Sequence, residues 1–248
     1  MQLALISDIH GNLLALDAVL QNIAQRHIRH ILCLGDVAAG GPQPHEVIQR
    51  LREINCPIIM GNTDSWLLHP QLKPRNTVSG QNNQDIEYWS AQQLTSDDKD
   101  FIRTFASTFE WQINETTMLL GYHGSPRSFN EKILPTTPDE ILQQAYAQTS
   151  AQLLAGGHTH IQMLRRYQAR LIINPGSIGM ALDRTAPSEE IHKVSWSEYA
   201  ILTIGTDKLA TVSAEFCRIP FNLDAFMQTA FQAQMPHAEW AASDWKQA

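Results

Sequence analysis

Apolar residues follow two different periods along the first sixty residues of the chain. Short continuous runs have the length of buried strands, and the longer stretches between them repeat apolar residues at helical spacing. The strand-like runs are LALISD, HILCLGD and CPIIMGN, and the helix-like stretches are NLLALDAVLQNIAQR and PHEVIQRLREI. This alternation predicts a βαβαβ unit with a parallel sheet. Because ligands gather beyond the carboxyl ends of parallel strands, we expect Asp8, Asp36 and Asn62 to face one common edge.

Residues 65–110 are more polar and interrupt this pattern. Their loop and helical stretches read NTVSGQNNQ, DIEYWSAQQL and SDDKDFIRTFAS. They contain too few apolar residues to form a core of their own. We therefore predict one domain over residues 1–248, with a partly helical cap insertion at about 65–110 that covers the site edge.

The β pattern returns after residue 110. EWQINETTMLLGYHG predicts two strands joined by a turn at Asn114, and a helix, a strand and a hairpin follow. Their sequences are PDEILQQAYAQT, AQLLAGGHTH and MLRRYQARLIIN. Near the end, EYAILTIGTDKLATVSAEFCRI predicts two strands with a turn at 205–208, and LDAFMQTAFQA predicts a last helix.

Composition restricts the partners of the protein. The net charge of -7 and the pI near 5.8 argue against a standing nucleic-acid partner, because affinity for a phosphate backbone needs clustered Lys and Arg. Cys33, Cys56 and Cys217 lack metal-type spacing, so we expect them to pack in a reducing, cytoplasmic environment. The N-terminal apolar run is too short for a signal peptide, and we expect no membrane segment. The oligomeric state stays open.

Seven side chains with oxygen or nitrogen donors end strands or lie in glycine-flanked turns. They are Asp8, His10, Asp36, Asn62, His123, His158 and His160. The two histidines of GGHTH are two residues apart, and in an extended segment both rings would project to the same side. Each segment alone also fits a helix cap, a turn or a hydrogen-bonded histidine. Taken together, the seven residues favour a metal site, because burying carboxylates and imidazoles without a cation would cost several kcal/mol per ion.

The seven predicted ligands divide between two metal ions. A carboxylate is the ligand best able to bridge two cations, and Asp36 is the natural bridge. Asp8, His10 and one GGHTH histidine would complete one ion, and Asn62, His123 and the other histidine would complete the second. Nitrogen and oxygen ligands without thiolates indicate two divalent transition-metal ions, Mn²⁺ first, with Fe, Zn²⁺, Ni²⁺ or Co²⁺ as alternatives.

Five motifs follow one another along residues 1 to about 180 in an order that resembles the calcineurin-like metallophosphoesterase superfamily. They are Asp8-Ile9-His10, Gly35-Asp36, Gly61-Asn62, His123 and Gly157-His158-Thr159-His160. The resemblance implies an α/β fold, a four-layer αββα sandwich of two mixed sheets flanked by helices, with a dinuclear metal centre that hydrolyses phosphodiesters or phosphoanhydrides. It also implies which histidine joins which metal: His160 joins Asp8, His10 and Asp36 on the first, and His158 joins Asn62 and His123 on the second. GDVAAGGPQPHEV and NPGSIG are similar to the small bacterial phosphodiesterase branch related to diadenosine tetraphosphatases.

One position departs from the pattern of the superfamily. Many members have a histidine after the Gly-Asn pair, where it is taken to protonate the leaving group, whereas this chain has Thr63. Asp64 then has no imidazole to orient, and capping or loop bracing is its alternative role. Because a general acid matters most for poor leaving groups, we expect a preference for diesters or anhydrides with good leaving groups. His45 and His69 are candidates to replace the missing acid.

The resemblance also implies a mechanism. A hydroxide bridging the two ions would attack phosphorus in a small phosphorylated substrate, with Asp36 and Asn62 as catalytic residues. Arg127 and Asn12 are candidate substrate-binding residues, although Arg127 could instead brace its turn and Asn12 could cap a helix. Ser125 and Ser177 are expected to be turn residues, and NPGSIG is expected to brace the ligand loops.

Two other function classes stay open. A catalytically weak scaffold of the same fold would bind a partner protein, as the retromer subunit of similar fold is thought to do. Such a protein would be expected to lose metal ligands, whereas this chain keeps all seven. A metal-dependent hydrolase of another bond, such as an amide, is the third class.

Overall fold

Two mixed β-sheets form the centre of the protein, and helices cover their outer faces. The structure is a computed structural model, which describes residues 1–184, 191–205 and 211–246. Its helices are α1 (Leu13–Gln25), α2 (Pro44–Ile54), α3 (Asn62–Leu68), α4 (Val78–Gln93), α5 (Ser96–Ile102), α6 (Asp139–Ala145), α7 (Leu223–Gln232) and α8 (Ala238–Ser243). Its strands are β1 (Gln2–Ile6), β2 (His30–Cys33), β3 (Phe109–Gln112), β4 (Met118–Gly121), β5 (Leu153–Ala155), β6 (Met163–Tyr167), β7 (Arg170–Asn174), β8 (Leu182–Arg184), β9 (Ile191–Val194), β10 (Trp196–Ile204), β11 (Val212–Pro220) and β12 (Trp245–Lys246).

Each of the two large sheets contains neighbouring strands that run parallel. The first sheet has the order β11-β10-β1-β2, in which β1 and β2 are parallel and the other neighbours are antiparallel. The second has the order β3-β4-β5-β7-β6, in which β4, β5 and β7 are parallel and the edge strands are antiparallel. The loops that follow β1, β2, β4 and β5 therefore leave the carboxyl ends of parallel strands. Binding sites of parallel sheets lie at these ends.

Alternation along β1 produces two of the layers. Leu3 and Leu5 belong to the apolar cluster between the two sheets, whereas Ala4 and Ile6 belong to the cluster shared with α1 and α2. Successive side chains of a strand point to opposite faces, so a fully apolar strand serves both clusters.

The second sheet repeats this arrangement on its own two faces. Leu119 and Leu153 lie in the cluster between the sheets, whereas Leu120 and Leu154 pack with Leu142 of α6 on the outer face. The layers are therefore helix, sheet, sheet and helix, and the predicted αββα sandwich of two mixed sheets is confirmed.

Two local predictions differ from the structure. The run CPIIMGN lies beside β2 as predicted, but it makes only isolated bridges, between Cys33 and Ile58 and between Ile59 and Ala106. Pro57 has no N–H group, so this segment cannot donate the hydrogen bond that would extend its pairing into a longer ladder. Helix α4 begins at Val78, inside the predicted loop, because the Thr77 hydroxyl accepts a hydrogen bond from the Gly80 N–H at 3.1 Å and caps the helix.

Residues of the segment 65–110, the predicted cap insertion, pack onto the main core. Leu67, Ala91 and Ile102 join the cluster of α1 and α2. The structure adds elements that the sequence pattern did not predict: α8 and a small sheet of order β12-β9-β8. The predicted turn at 205–208 lies mostly outside the described residues.

In the described ranges, no helix has the length and apolar character needed to cross a membrane.

Candidate metal centre

The ligand loops follow the carboxyl ends of four parallel strands, two from each large sheet. Asp8 follows β1 and Asp36 follows β2, whereas His123 follows β4 and His158 follows β5. Backbone hydrogen bonds tie the loops together: the Asp8 N–H donates to Gly35 at 2.9 Å, and the His10 N–H donates to Asp36 at 3.0 Å. The two sheets thus deliver their polar loops to one rim of the sandwich.

The backbone at this rim is strained. Five of the seven predicted ligands have φ between 50° and 68°, a left-handed conformation that side chains with a β-carbon rarely adopt. They are Asp8, His10, Asp36, His158 and His160. Such residues cost about 1–3 kcal/mol each and persist where surrounding contacts hold them, often at functional sites. The GGHTH segment is therefore a turn and not the extended segment expected from its spacing, and its two rings go to different groups.

The first group contains Asp8, His10 and His160. Nδ1 of His10 lies 2.8 Å from the Ala39 carbonyl, and Nδ1 of His160 lies 2.9 Å from the Met180 carbonyl. Nδ1 must donate in both contacts, so both Nε2 atoms carry lone pairs when the rings are neutral, and they lie only 3.1 Å apart.

A carboxylate oxygen completes this cluster of acceptors. Asp8 Oδ1 is buried, has no hydrogen-bond partner among the described residues, and lies 3.2 Å from His160 Nε2. An unpaired buried carboxylate oxygen beside two nitrogen lone pairs is costly unless a cation is shared between them. The residues of this group therefore fit a metal ion.

The second group contains Asp36, His123 and His158, and Asn62 lies beside it. Nδ1 of His123 contacts the Leu34 carbonyl at 2.8 Å, which leaves Nε2 to face the site. The Asn62 amide oxygen lies 3.1 Å from His123 Nε2. In this orientation the amide oxygen faces only hydrogen-bond acceptors. With the amide rotated by 180°, its nitrogen would donate to Asp36, His123 and His158. The carboxylate and the two imidazoles of this group, with the Asn62 amide beside them, also fit a metal ion.

Each group of the site contains one ionised carboxylate. Burial alone would raise the pKa of Asp8, but the facing histidines, His160 foremost, hold it well below its usual range. Burial likewise opposes ionisation of Asp36, and His123 lowers its pKa to about 2. Burial lowers the pKa of His123, but the charge of Asp36 and their hydrogen bond raise it to about 10. Both carboxylates are thus ionised at neutral pH, and each group offers an anionic ligand.

Asp64 braces two ligand loops. Its fully buried carboxylate accepts hydrogen bonds from the N–H groups of Asp36 at 2.7 Å, Val37 at 2.9 Å and Gly61 at 3.0 Å. Burial and the charge of Asp36 raise the pKa of Asp64 to about 6. A side chain at Gly61 would place a β-carbon 2.0 Å from Asp36 Oδ1, so only glycine lets the loops approach this closely. The loop-bracing role predicted as an alternative is confirmed.

NPGSIG supports the opposite side of the site, as predicted. The Ser177 hydroxyl donates to the Asp8 carbonyl at 2.7 Å, and the Asn174 amide donates to the Gly157 carbonyl at 2.7 Å. Ser177 is fully buried. These bonds hold both ligand loops in their left-handed turns.

Arg127 and Asn12 have structural partners. The Arg127 guanidinium, which is partly exposed, forms an ion pair with Glu131 four residues later. The Asn12 amide oxygen accepts from the Ala15 N–H at 3.0 Å and caps α1, and the side chain is buried. The capping role of Asn12 is confirmed, and contact of either residue with a substrate stays a prediction.

The two candidate replacement acids have different surroundings. Nδ1 of His45 lies 2.7 Å from the Asp98 carboxylate, and His45 lines a surface hollow with residues of α2 and α5. His69 instead lines a cavity together with Asn62 and Thr63. Of the two, His69 lies in the same cavity as a predicted ligand.

Some residues of the site carried no signal in the sequence, and others carried one that was not used. The carbonyl partners of the imidazoles belong to Ala39, Leu34 and Met180, and any residue type can supply a backbone carbonyl. Lys73 and Arg75 line the cavity of Asn62, and their position on either side of Pro74 in a polar insertion could have indicated them.

Comparisons with known proteins agree with this geometry. A sequence profile of the calcineurin-like phosphoesterase superfamily domain matches residues 1–206. An uncharacterized protein of Methanocaldococcus jannaschii is 27% identical over 231 residues, which cover 86% of this chain and 87% of the relative.

Two solved structures share the fold over almost their full length. A metallophosphoesterase from Sphaerobacter thermophilus has a TM-score of 0.74 at 22% identity, and the alignment covers 98% of this chain and 99% of that one. A hypothetical protein from Pyrococcus horikoshii OT3 has a TM-score of 0.79 at 17% identity, with 98% and 96% covered. At such identities the similarity is one of fold.

Proposed function

The chain belongs to the calcineurin-like phosphoesterase superfamily, and from this premise we propose that it is a phosphodiesterase or phosphoanhydride hydrolase with two divalent metal ions. The superfamily consists of metal-dependent phosphoesterases. The observation that supports the proposal most directly is the convergence of two groups of metal-ligating side chains, one with Asp8 and one with Asp36. Each group combines a carboxylate with two imidazoles, which suits a bound cation, and paired cations suit displacement at phosphorus.

Each of the two ions would be held by a different set of side chains. Asp8, His10 and His160 would hold one ion, and Asn62, His123 and His158 would hold the other, with Asp36 as the predicted bridge. A pair of bound divalent ions would lower the pKa of water and neutralise charge on phosphate oxygens. Mn²⁺ is the ion we expect first, because the ligands are nitrogen and oxygen donors without thiolates.

Backbone carbonyls would orient the imidazoles. The contacts of His10, His123 and His160 through Nδ1 direct each Nε2 toward its group and exclude the other tautomer. The side chains would then need little rearrangement when an ion binds. The strain of the left-handed turns is consistent with this preorganisation.

Position 63 sets the expected preference for leaving groups. Thr63 has no acidic proton near neutral pH, and its buried hydroxyl has no partner among the described residues. The leaving groups of aryl esters and phosphoanhydrides depart without strong protonation, whereas the alkoxide of an alkyl monoester needs a proton to leave. We therefore propose the former as substrates. The likeness to the branch related to diadenosine tetraphosphatases stays a prediction.

Hydrolysis of bis(p-nitrophenyl) phosphate tests the proposal. Protein loaded with Mn²⁺, Ni²⁺ or Co²⁺ is expected to release p-nitrophenol, and metal analysis is expected to find about two ions per chain. Asp36→Asn is expected to lower kcat/KM by about 10²- to 10³-fold and to reduce the metal content, because an anionic ligand is lost. Asp17→Asn removes an exposed carboxylate that pairs with Arg50 and is the matched control. If the wild type and Asp36→Asn are equally inactive with every metal, the scaffold alternative is correct.

A further inference from the structure

Two cavities adjoin the candidate metal centre, one beside each ligand group. The first, of about 500 Å³, includes His10 and His160 in its wall, and the second, of about 550 Å³, includes Asn62. Glu87 of α4 lines both, so the two cavities meet at this side chain. Both volumes lie in the range of small-molecule sites.

The first cavity, here called the aromatic cavity, is built mainly from apolar side chains of the cap and the C-terminal segment. Its apolar wall includes Ile86, Met180, Phe226, Met235, Trp240 and Trp245. Lys193 is the only lysine or arginine among the described residues that line it, and the Asp244 carboxylate, 3.2 Å away, compensates its charge. The carboxylate of Glu87 then leaves a net negative charge. This cavity therefore favours a neutral, largely apolar group over an anion.

The second cavity, here called the basic cavity, carries the opposite charge. Lys73 and Arg75 line it, and neither forms an ion pair within the described part of the chain. Against the single carboxylate of Glu87, these two cations make the cavity net positive. A positively charged cavity beside a predicted ligand suits an anionic group.

A buried glutamine fixes the loop that carries the two cations. The Gln84 amide oxygen accepts from the Lys73 N–H at 2.9 Å and from Nε of Arg75 at 3.2 Å. The Gln84 amide nitrogen donates to the Lys73 carbonyl at 2.9 Å, and the Gln84 side chain is only 3% exposed. The backbone of the basic cavity is thus anchored to α4 and does not depend on a ligand for its position.

We propose that the substrate is a phosphate ester or anhydride with two unlike ends: a neutral, bulky organic group that occupies the aromatic cavity, and an anionic group that contacts Lys73 and Arg75. The phosphoryl group between them lies at the ligand groups of the metal centre. This inference rests on the proposed phosphoesterase function. The opposite charges of the two cavities orient the substrate, because reversing it would move the anionic end away from Lys73 and Arg75 into a cavity whose one lysine is already paired with Asp244.

The aromatic cavity also explains why the superfamily alone does not determine the substrate. The profile match ends at residue 206, whereas Phe226, Met235, Trp240 and Trp245 lie beyond it. Selection of the organic group therefore depends on the C-terminal segment of this chain. The ligand loops, by contrast, lie entirely within the matched region.

Binding of two probes that share one diphosphonate group tests the inference. The probes are adenosine 5′-(α,β-methylene)diphosphate, which has a bulky neutral organic group, and methylenediphosphonate, which has none. Calorimetric titration into the full-length Mn²⁺-loaded protein is expected to give a Kd at least about tenfold lower for the adenosine probe. Methylenediphosphonate has one more ionisable oxygen than the adenosine probe and chelates metal at least as strongly, so a lower Kd for the adenosine probe reports the organic group.

One variant and one control address the aromatic cavity. Asn83→Trp places a large side chain into the cavity from an exposed position of α4, and it is expected to reduce the ratio of the Kd values to below about threefold. Gln92→Trp introduces the same side chain at an exposed position of α4 outside both cavities, and the ratio is expected to stay as in the wild type.

A double variant addresses the basic cavity. Lys73→Gln with Arg75→Gln is expected to raise the Kd of both probes by about tenfold or more, because each carries the anionic group. Lys99→Gln with Arg103→Gln removes the same charge from α5 and its C-terminal end, and the Kd values are expected to stay within about twofold of the wild type.

The outcomes separate this inference from the proposed function. Equal Kd values for the two probes, or Kd values that neither cavity variant changes, would overturn the inference even if bis(p-nitrophenyl) phosphate is hydrolysed. The expected pattern of Kd values without hydrolysis by any metal-loaded form would support the two cavities and overturn the proposed phosphoesterase activity.

Discussion

At the scale of single residues, the ligands combine short-range constraints with long-range contacts. His158 and His160 are separated by one residue, yet each ring joins a different group. Their left-handed backbone turns one ring toward Asp36 and His123 and the other toward Asp8 and His10. The resemblance to the superfamily anticipated this division, whereas the extended-segment argument expected both rings on one side.

Asp64→Asn tests the bracing of the ligand loops. Both carboxylate oxygens of Asp64 accept from backbone N–H groups, so an amide nitrogen in place of either one would face a donor. We expect the free energy of unfolding to fall by about 1–3 kcal/mol in urea titrations. The affinity for Mn²⁺ is expected to fall by about 10- to 100-fold, because Asp36 loses its support. Unchanged stability together with unchanged metal affinity would contradict the bracing role.

Thr63→His tests the explanation for the leaving-group preference. The backbone N–H of residue 63 donates to Asp36 Oδ1 at 2.8 Å, and this contact does not depend on the side chain. The added imidazole is expected to raise kcat/KM for an alkyl phosphate ester by about 10- to 100-fold, and to change kcat/KM for bis(p-nitrophenyl) phosphate far less. Thr63→Asn introduces a polar side chain without an acid and is the control. An equal change for both substrates would argue against a missing general acid.

At the scale of elements, strand ends and helix starts position the site. The loops after β1, β2, β4 and β5 carry ligands, and α3 begins with Asn62. These loops are short, so the ligand positions depend on where each element ends. Residues that cap or brace those ends therefore affect the site without contacting a substrate.

Asn12 separates a capping role from substrate binding. Asn12→Ala removes the cap of α1 and is expected to lower the free energy of unfolding by about 1 kcal/mol, whereas Asn12→Ser keeps a side-chain oxygen that can accept from the Ala15 N–H. Thermal and urea unfolding measure the two variants. If Asn12→Ser keeps wild-type stability but loses kcat/KM at least about tenfold, the amide contacts the substrate as well.

At the scale of the whole molecule, the two sheets must pack in one orientation before the site exists. Asp8 and Asp36 leave the first sheet, whereas His123 and His158 leave the second. The apolar cluster between the sheets, which includes Leu5, Leu119 and Ile173, sets this orientation. Each ligand group therefore contains residues from both sheets, and stability of the sandwich is a condition for metal binding.

Glu198 makes that stability depend on pH. It lies on β10 with 2% exposure, accepts from Trp196 at 3.2 Å, and faces Arg218 at 3.2 Å. Its second carboxylate oxygen has no partner among the described residues. Burial raises the pKa of Glu198 to about 7 from its ordinary value of 4.5. Between these values the folded protein retains a proton that the unfolded chain releases, so the stabilising effect is complete below pH 4.5 and is lost as the pH rises to 7.

Glu198→Gln is expected to remove this dependence. Relative to the wild type, the variant is expected to gain up to roughly 3 kcal/mol in free energy of unfolding as the pH rises from about 4.5 to above 7. Urea unfolding at several pH values measures the difference. Glu115→Gln, at an exposed position, is the matched control. A difference between variant and wild type that stays constant across this range would contradict the buried protonated state.

The sequence by itself determined the ligand types, their order and most of the elements. Apolar periods and short polar motifs are local properties, so strands such as β1 and helices such as α2 follow from them directly. The tertiary structure alone decided the features that depend on residues far apart in the chain. These include the carbonyl partners of the imidazoles, the short bridges in place of a third strand, and the joining of the cap to the C-terminal segment around the aromatic cavity. Their physical reason is the same: backbone carbonyls have no residue signature, and cavity walls form only when separate segments pack together.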